Sequence, residues 1–209
     1  MNKQDRLNRL VPLTGALFVG LELGGVAAGS QPNVTLGDPT AKILAAITKH
    51  AGAGAWVGAH MELASLAAFA AFAAWLLRSR PRALHGTGLL AAGSFVAVTG
   101  ASLLAGDAIR YGTSHGLAHQ QLLALFYVQS ALFSASWAAS AVFLALVPVR
   151  GWLRRSALAI AALQLAALAA PTAGVSQLPT MLFLIWVLAA SVSLAWRPHP
   201  AISPAPAAA

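Results

Sequence analysis

An all-α bundle of six membrane-spanning helices is the fold class this chain predicts, and three observations predict it. Apolar runs recur over residues 11–28, 53–77, 86–106, 121–147, 156–170 and 180–196, most of them near the roughly 20 residues that cross a hydrocarbon core. The chain is 58% hydrophobic and only 9% charged, against about 25% charged in a soluble domain. The cations gather in short segments between the runs, as topology signals do. That clustering also argues against nucleic-acid binding, which the net charge of +8 would otherwise invite.

Taken in order, the first run follows Lys3, Arg6 and Arg9. A basic start, an apolar run and the small residues of "GVAAGS" resemble a secretory signal. The length of the run and the presence of Glu22 inside it favour a retained first span. Segment 29–52 holds "GDPTAKILAAITKH", where Asp38 suits an N-cap and Pro39 the first helical position. Ile43, Leu44 and Ile47 then share one face and Lys42 and Lys49 another, so a short amphipathic helix is expected at the membrane interface after the first span. The plain alternative is a connector, since so short a helix is marginal by itself.

Arg78, Arg80 and Arg82 follow the second run, Arg150, Arg154 and Arg155 the fourth, and Arg197 the sixth. With the N-terminal three, this places ten cations on one side against Lys42, Lys49 and Arg110 on the other. The excess predicts both termini in the cytoplasm. Residues 1–197 thus read as one transmembrane domain, and the Pro- and Ala-rich 198–209 as a disordered tail. The Ala, Gly and Arg usage suits a GC-rich bacterial genome, hence a bacterial inner membrane.

Ionisable groups inside such runs are the main functional signal. A carboxylate facing lipid costs several kcal/mol, so intramembrane acids turn inward, find partners and mark function by default. At about 1.5 Å of rise per residue, Glu22 lies roughly 13 Å below the outer boundary, Glu62 roughly 14 Å and Gln129 roughly 12 Å. His60 lies slightly higher, and Asp107 falls at the outer mouth of the third run. Polar groups of four spans therefore converge on one level, with Gln164 apart from them. Glu62 is expected to face a polar pocket and to bond with Glu22, Gln129 or His60. Two carboxyls so placed could share one proton; the bland alternative is a structural hydrogen bond between helices.

Glycine spacing supports close helix approach: Gly20 and Gly24 in the first run, Gly54 and Gly58 in the second, with Ser130/Ser134 and Ser136/Ser140 in the fourth. No internal repeat is visible, which weakens an inverted-repeat transporter. His60 and Glu62, two residues apart, sit about 200° apart on a helix, so His60 aligns instead with Trp56. His115 and His119 at i, i+4 would share a helical face suited to zinc. "HGLAH" lacks the intervening glutamate, and Gly112 and Gly116 weaken a helix there. Arg110, three residues after Asp107, could pair with it, steering an anionic head group or anchoring the loop. Trp75, Trp152 and Trp196 read as interfacial anchors at cytoplasmic ends. Trp56, Phe126, Tyr127, Phe183 and Trp186 lie at or above the acids, with Tyr127 and Trp186 the better cavity-lining candidates.

The layout of spans, with an outer amphipathic helix after the first, resembles small bacterial polytopic membrane proteins of unknown function. Glu22, Glu62 and Asp107, with aromatics nearby, also resemble the integral-membrane terpene cyclases. That resemblance implies an enzyme in which Glu62, polarised by Glu22 or Asp107, protonates a prenyl or other lipid-like substrate to start cyclisation or isomerisation. The expected substrate-binding set is Trp56, His60, Phe126, Tyr127, Gln129, Trp186 and Arg110, with aromatic π faces stabilising cations. No cofactor or metal is implied. The competing readings are a proton-coupled carrier on Glu22 and Glu62, for which six spans suggest a homo-oligomer, and a haem- or metal-binding protein on His60, His115 and His119. Absence of cysteine excludes disulfides, thiolate metal sites, covalent haem and iron–sulfur clusters. The expected partners are the bilayer and a hydrophobic small molecule, with no nucleic acid.

Overall fold

The computed structural model describes residues 10–30, 34–49, 51–78, 82–169 and 177–196. Among these, every regular element is helical. A 3₁₀ turn, Val11–Leu13, leads into α1 (Thr14–Ala27), followed by α2 (Thr40–Lys49), α3 (Ala53–Leu77), α4 (Arg82–Ser114), α5 (His119–Leu146), α6 (Trp152–Ala169) and α7 (Leu178–Trp196). The five helices α3 to α7 are long and apolar enough to cross a membrane, and they mark the chain as a multi-pass membrane protein. Val11–Ala27 is apolar but shorter, roughly 26 Å at helical rise. Lys3, Arg6, Arg9, Arg80 and Arg197 of the charge argument, and the tail 198–209, lie outside the described residues.

The helices pack around Phe69 of α3. Its ring lies 5.2 Å from Phe18 of α1, 4.7 Å from Phe95 of α4, 5.3 Å from Phe143 of α5 and 5.9 Å from Phe183 of α7, centroid to centroid. These tilted and edge-on contacts suit the ring quadrupole and set one aromatic layer across five helices. Trp186 belongs to this core, where its Nε1 donates to the Leu153 carbonyl at 3.0 Å. Ser191 of α7 receives the Ala16 amide at 3.0 Å and donates to the Pro12 carbonyl, tying the Val11–Leu13 turn and the start of α1 to α7.

The two ends of the bundle differ chemically. One carries Arg78, Arg150, Arg154 and Arg155; there Arg154 Nη1 donates to the Ala145 carbonyl at 2.8 Å and reaches those of Leu144 and Val147. A cation thus satisfies carbonyls that the end of α5 leaves open. The other end carries α2 and the α4–α5 turn. Ile43 and Ile47 of α2 are buried against Ile109 of α4 and Leu122 and Phe126 of α5, a cluster separate from the main core. Asp38 fixes the approach to α2: it accepts from the Thr35 amide at 2.7 Å and from Lys42 Nζ at 2.6 Å.

α4 departs most from the expected boundaries. It runs to Ser114, eight residues past the predicted end at 106, so Asp107 and Arg110 lie within its last two turns rather than at a loop mouth. It ends where Gly116 takes a positive φ of 76° and the Leu117 amide bonds back to the Gly112 carbonyl at 2.8 Å, a glycine-closed helix terminus. His119 then opens α5.

Between α1 and α3 the contact is backbone to backbone. A Cβ at Gly25 would lie 2.7 Å from the Gly58 carbonyl and 2.6 Å from Glu62 Cγ, and one at Gly54 would lie 3.0 Å from the Ala28 carbonyl. Gly20, expected to share in this contact, faces open space. Gly24 faces Met61 of α3 as expected, and Gly25 rather than Gly20 is the second glycine of the contact.

Two outcomes follow. Gly25→Ala should cost about 1–3 kcal/mol, the usual penalty for overpacking, whereas Gly20→Ala should be neutral or stabilising by up to about 1 kcal/mol; thermal unfolding in detergent separates them. The Asp38 carboxyl is held below the ordinary carboxylate value, first by Lys42 and then by the Thr35 amide. A depressed pKa adds stability that is present above the unfolded value of about 3.9 and lost as pH falls through the lowered one. Protection of the Thr35 amide from hydrogen exchange should fade in that acid window and be absent throughout in Asp38→Ala.

Candidate functional site

The end of α1 builds the first half of the site. Gly29 has φ 85°, the Ser30 amide bonds to the Gly25 carbonyl at 3.2 Å, and the Gly29 amide bonds to Val26 at 3.0 Å. This is the paired six-to-one and five-to-two closure that glycine permits at a helix end. It is made by the "GVAAGS" stretch, and it turns Ser30 back into the bundle, fully buried.

Ser30 Oγ then donates to Glu62 Oε1 of α3, whose carboxyl passes over Gly25, the one residue type that leaves room for it. Glu62 is completely buried. One turn along the same face, Ser65 Oγ contacts Glu22 Oε1 of α1 and the Glu62 carbonyl, the latter at 2.6 Å. Glu22 is half-buried.

The second half comes from α4. Arg110, 6% exposed, donates through Nη1 to Asp107 Oδ1 at 2.7 Å and through Nη2 to the Ser30 carbonyl. A buried guanidinium requires an anion and further acceptors, and this one has both. Gln129 of α5 joins from the side. Its main-chain carbonyl accepts from Ser102 Oγ at 2.9 Å, and its Nε2 and Arg110 Nη1 flank the space a Cβ at Gly106 would fill, 2.8 Å and 3.6 Å away.

One polar chain thus runs Glu22–Ser65–Glu62–Ser30–Arg110–Asp107 through three helices, its Ser65–Glu62 and Ser30–Arg110 links made at main-chain carbonyls, with Gln129 beside its last links. The serine hydroxyls supply its proton logic. Ser65 has one hydroxyl proton and two oxygen neighbours. Both contacts are hydrogen bonds only when the Glu22 carboxyl donates to Ser65 Oγ while Ser65 donates to the Glu62 carbonyl. A proton leaving Glu22 therefore forces the hydroxyl to choose between the Glu22 carboxyl and the main-chain carbonyl of Glu62.

Of the sequence-predicted residues, Glu22, Glu62, Asp107, Arg110 and Gln129 are brought together. The others sit elsewhere. His60 is exposed on the far side of α3, its Nδ1 2.8 Å from the Trp56 carbonyl, so Ser30 takes the place given to it beside Glu62. Tyr127 is 45% exposed, Phe126 lies under α2, and Trp186 is in the aromatic core. His115 stacks on Tyr111 at 3.8 Å and is separated from His119 by the Gly116 turn. The two histidines therefore do not share the helical face that i, i+4 spacing implied. Among the described residues no group of three or more histidine and carboxylate side chains could hold a metal ion. Gln164 is buried on α6, its Oε1 without a hydrogen-bond partner among the described residues.

Ser30 and Ser65 are the participants that sequence reasoning missed. Ser65 carried a readable signal, three residues after Glu62 and so on nearly the same helical face. Ser30 could have been found from Gly29 as a helix-closing glycine.

Comparison with family models, curated proteins and solved structures returns no match.

Removing the shared hydroxyl tests the arrangement. Ser65→Ala should destabilise the bundle by about 1–3 kcal/mol, the cost of leaving a buried polar partner unmet. Ser156→Ala, whose hydroxyl only folds back on its own helix, should stay within about 0.5 kcal/mol. Unfolding of both variants in the same detergent provides the comparison.

Proposed function

We propose that this chain is a proton-coupled membrane carrier whose proton sites are Glu22 and Glu62, carried on two packed helices that Ser65 bridges. The single observation that carries the reading is the Ser65 hydroxyl shared between the two acid-bearing helices. Glu22 stands at the half-open end of the polar chain and Glu62 at its closed centre, which gives the two proton sites different access. Buried carboxyls in a low-dielectric site are suited to holding and passing protons rather than to standing charged.

The membrane setting belongs to the same proposal. Val11–Ala27 serves as a sixth span, both termini face the cytoplasm, and α2 lies on the outer surface of a bacterial inner membrane. The arginines at the end opposite α2 support this orientation, and α2 supports it with its buried isoleucines and exposed lysines. A prenyl cyclase keeps the acids but loses the aromatic lining expected for it, since Tyr127 and Trp186 point to other surroundings.

Proteoliposomes enclosing a pH-sensitive dye, given a small-solute cell extract, should acidify as solute and proton enter together. Glu22→Gln and Glu62→Gln should each slow that entry at least about tenfold, the effect of about 1.4 kcal/mol on the transport barrier. Acidification that ignores both glutamates, or none in the wild type, would remove the carrier reading.

A further inference from the structure

The proposed proton sites use Glu22 and Glu62 and leave a buried arginine unexplained. Arg110 does more than neutralise Asp107. Its two terminal nitrogens point to different partners, Nη1 to the Asp107 carboxylate and Nη2 to the main-chain oxygen of Ser30. Ser30 is the residue whose hydroxyl bonds to Glu62. The guanidinium and the Glu62 carboxyl therefore hold different atoms of one fully buried residue.

We propose that Arg110 and Asp107 form a positioning pair that sets, through Ser30, the pH at which Glu62 gives up its proton. This rests on the reading of Glu62 as a proton site and adds what regulates it. A fixed positive charge beside a buried carboxyl favours the carboxylate, and with little water between them the field is weakly screened. Asp107 offsets part of that charge, so the pair acts as a partly neutralised cation whose strength depends on both members.

The other ionisable groups around Glu62 are few among the described residues. Glu22 approaches from α1 through Ser65, and α4 contributes Asp107 and Arg110. His60 of α3 itself is on the exposed side, and the 3₁₀ turn Val11–Leu13, which also packs on α3, has no ionisable side chain.

Opposite changes in the pair should move Glu62 in opposite directions, which a merely structural role would not do. Arg110→Gln removes the cation, so Glu62 should keep its proton to higher pH. Asp107→Asn leaves Arg110 uncompensated, so Glu62 should release its proton at lower pH. Each midpoint should move by about one pH unit, a tenfold change in proton affinity.

The full chain in lipid nanodiscs, titrated by infrared difference spectroscopy, reads this directly as the carbonyl stretch of the protonated acid. The Glu62 band is identified by its loss in Glu62→Gln. Displacements of opposite sign establish the positioning role. An unmoved midpoint in Asp107→Asn, displacements of the same sign, or a Glu62 band constant at every tolerated pH overturn it. Asp107→Asn is isosteric and decides alone if Arg110→Gln does not fold. The measurement needs neither solute nor gradient, so it can succeed where the carrier reading fails, and fail where that reading stands.

Discussion

The close approach of α1 and α3 at Gly25 and Gly58 is the constraint on which the site depends. Each glycine faces the other's backbone carbonyl, and any side chain at Gly25 would occupy the place of the Glu62 carboxyl. Without lateral hydrophobic attraction in a lipid environment, helices associate through such packing and through polar contacts. Here the two are one arrangement. The glycines bring the backbones together, and the gap so formed is just wide enough for a carboxyl to cross from α3 to Ser30 at the end of α1. Glu62 is thereby removed from lipid and matched with a hydroxyl, which answers the cost that an intramembrane acid imposes.

The continuation into α4 follows from the same need. Arg110 is too deeply placed to keep its charge without acceptors. Asp107, one turn earlier, satisfies one nitrogen, and the carbonyl left open by the closure of α1 satisfies another. An arginine rather than a lysine suits this role because its fork reaches two partners in fixed geometry. Gly106 completes it by leaving room for the Gln129 amide beside the guanidinium. A helix terminus, an ion pair and a buried acid are thus satisfied by one shared set of atoms.

How much of this was legible in the sequence depended on the kind of information required. Helical rise is a one-dimensional ruler, so the meeting of Glu22, Glu62 and Gln129 at one level could be read from residue number alone. Span 53–77 coincides with α3 for the same reason, since its run of apolar residues has sharp ends. Direction around a helix and contact between helices were not legible. Tyr127 and Trp186 had suitable depth but face elsewhere, and Gly20 lost its expected role to Gly25 because the register of two packed helices is settled by all their side chains together. The end of α4 was misjudged because Asp107 and Arg110 look like loop residues to a hydropathy argument. They are helical because they are buried and paired. Ser30 and Ser65 escaped notice because serine is common in tightly packed membrane helices and becomes informative only when a neighbour is known.

Ser30 also occupies a junction that gives the polar chain mechanical reach. It ends α1, and the chain from it leads to α2, whose isoleucines rest on Ile109, the residue next to Arg110. That five-residue apolar cluster is separate from the aromatic core, so α2 rests on contacts of its own rather than on the layer around Phe69. Binding linkage is reciprocal: if the proton on Glu62 alters how firmly Ser30 and Arg110 hold each other, then whatever shifts α2 alters the affinity of Glu62 for its proton by the same factor. In the proposed carrier such reciprocity would link an internal charge to a surface element. In this bundle the two are joined by one serine and one arginine.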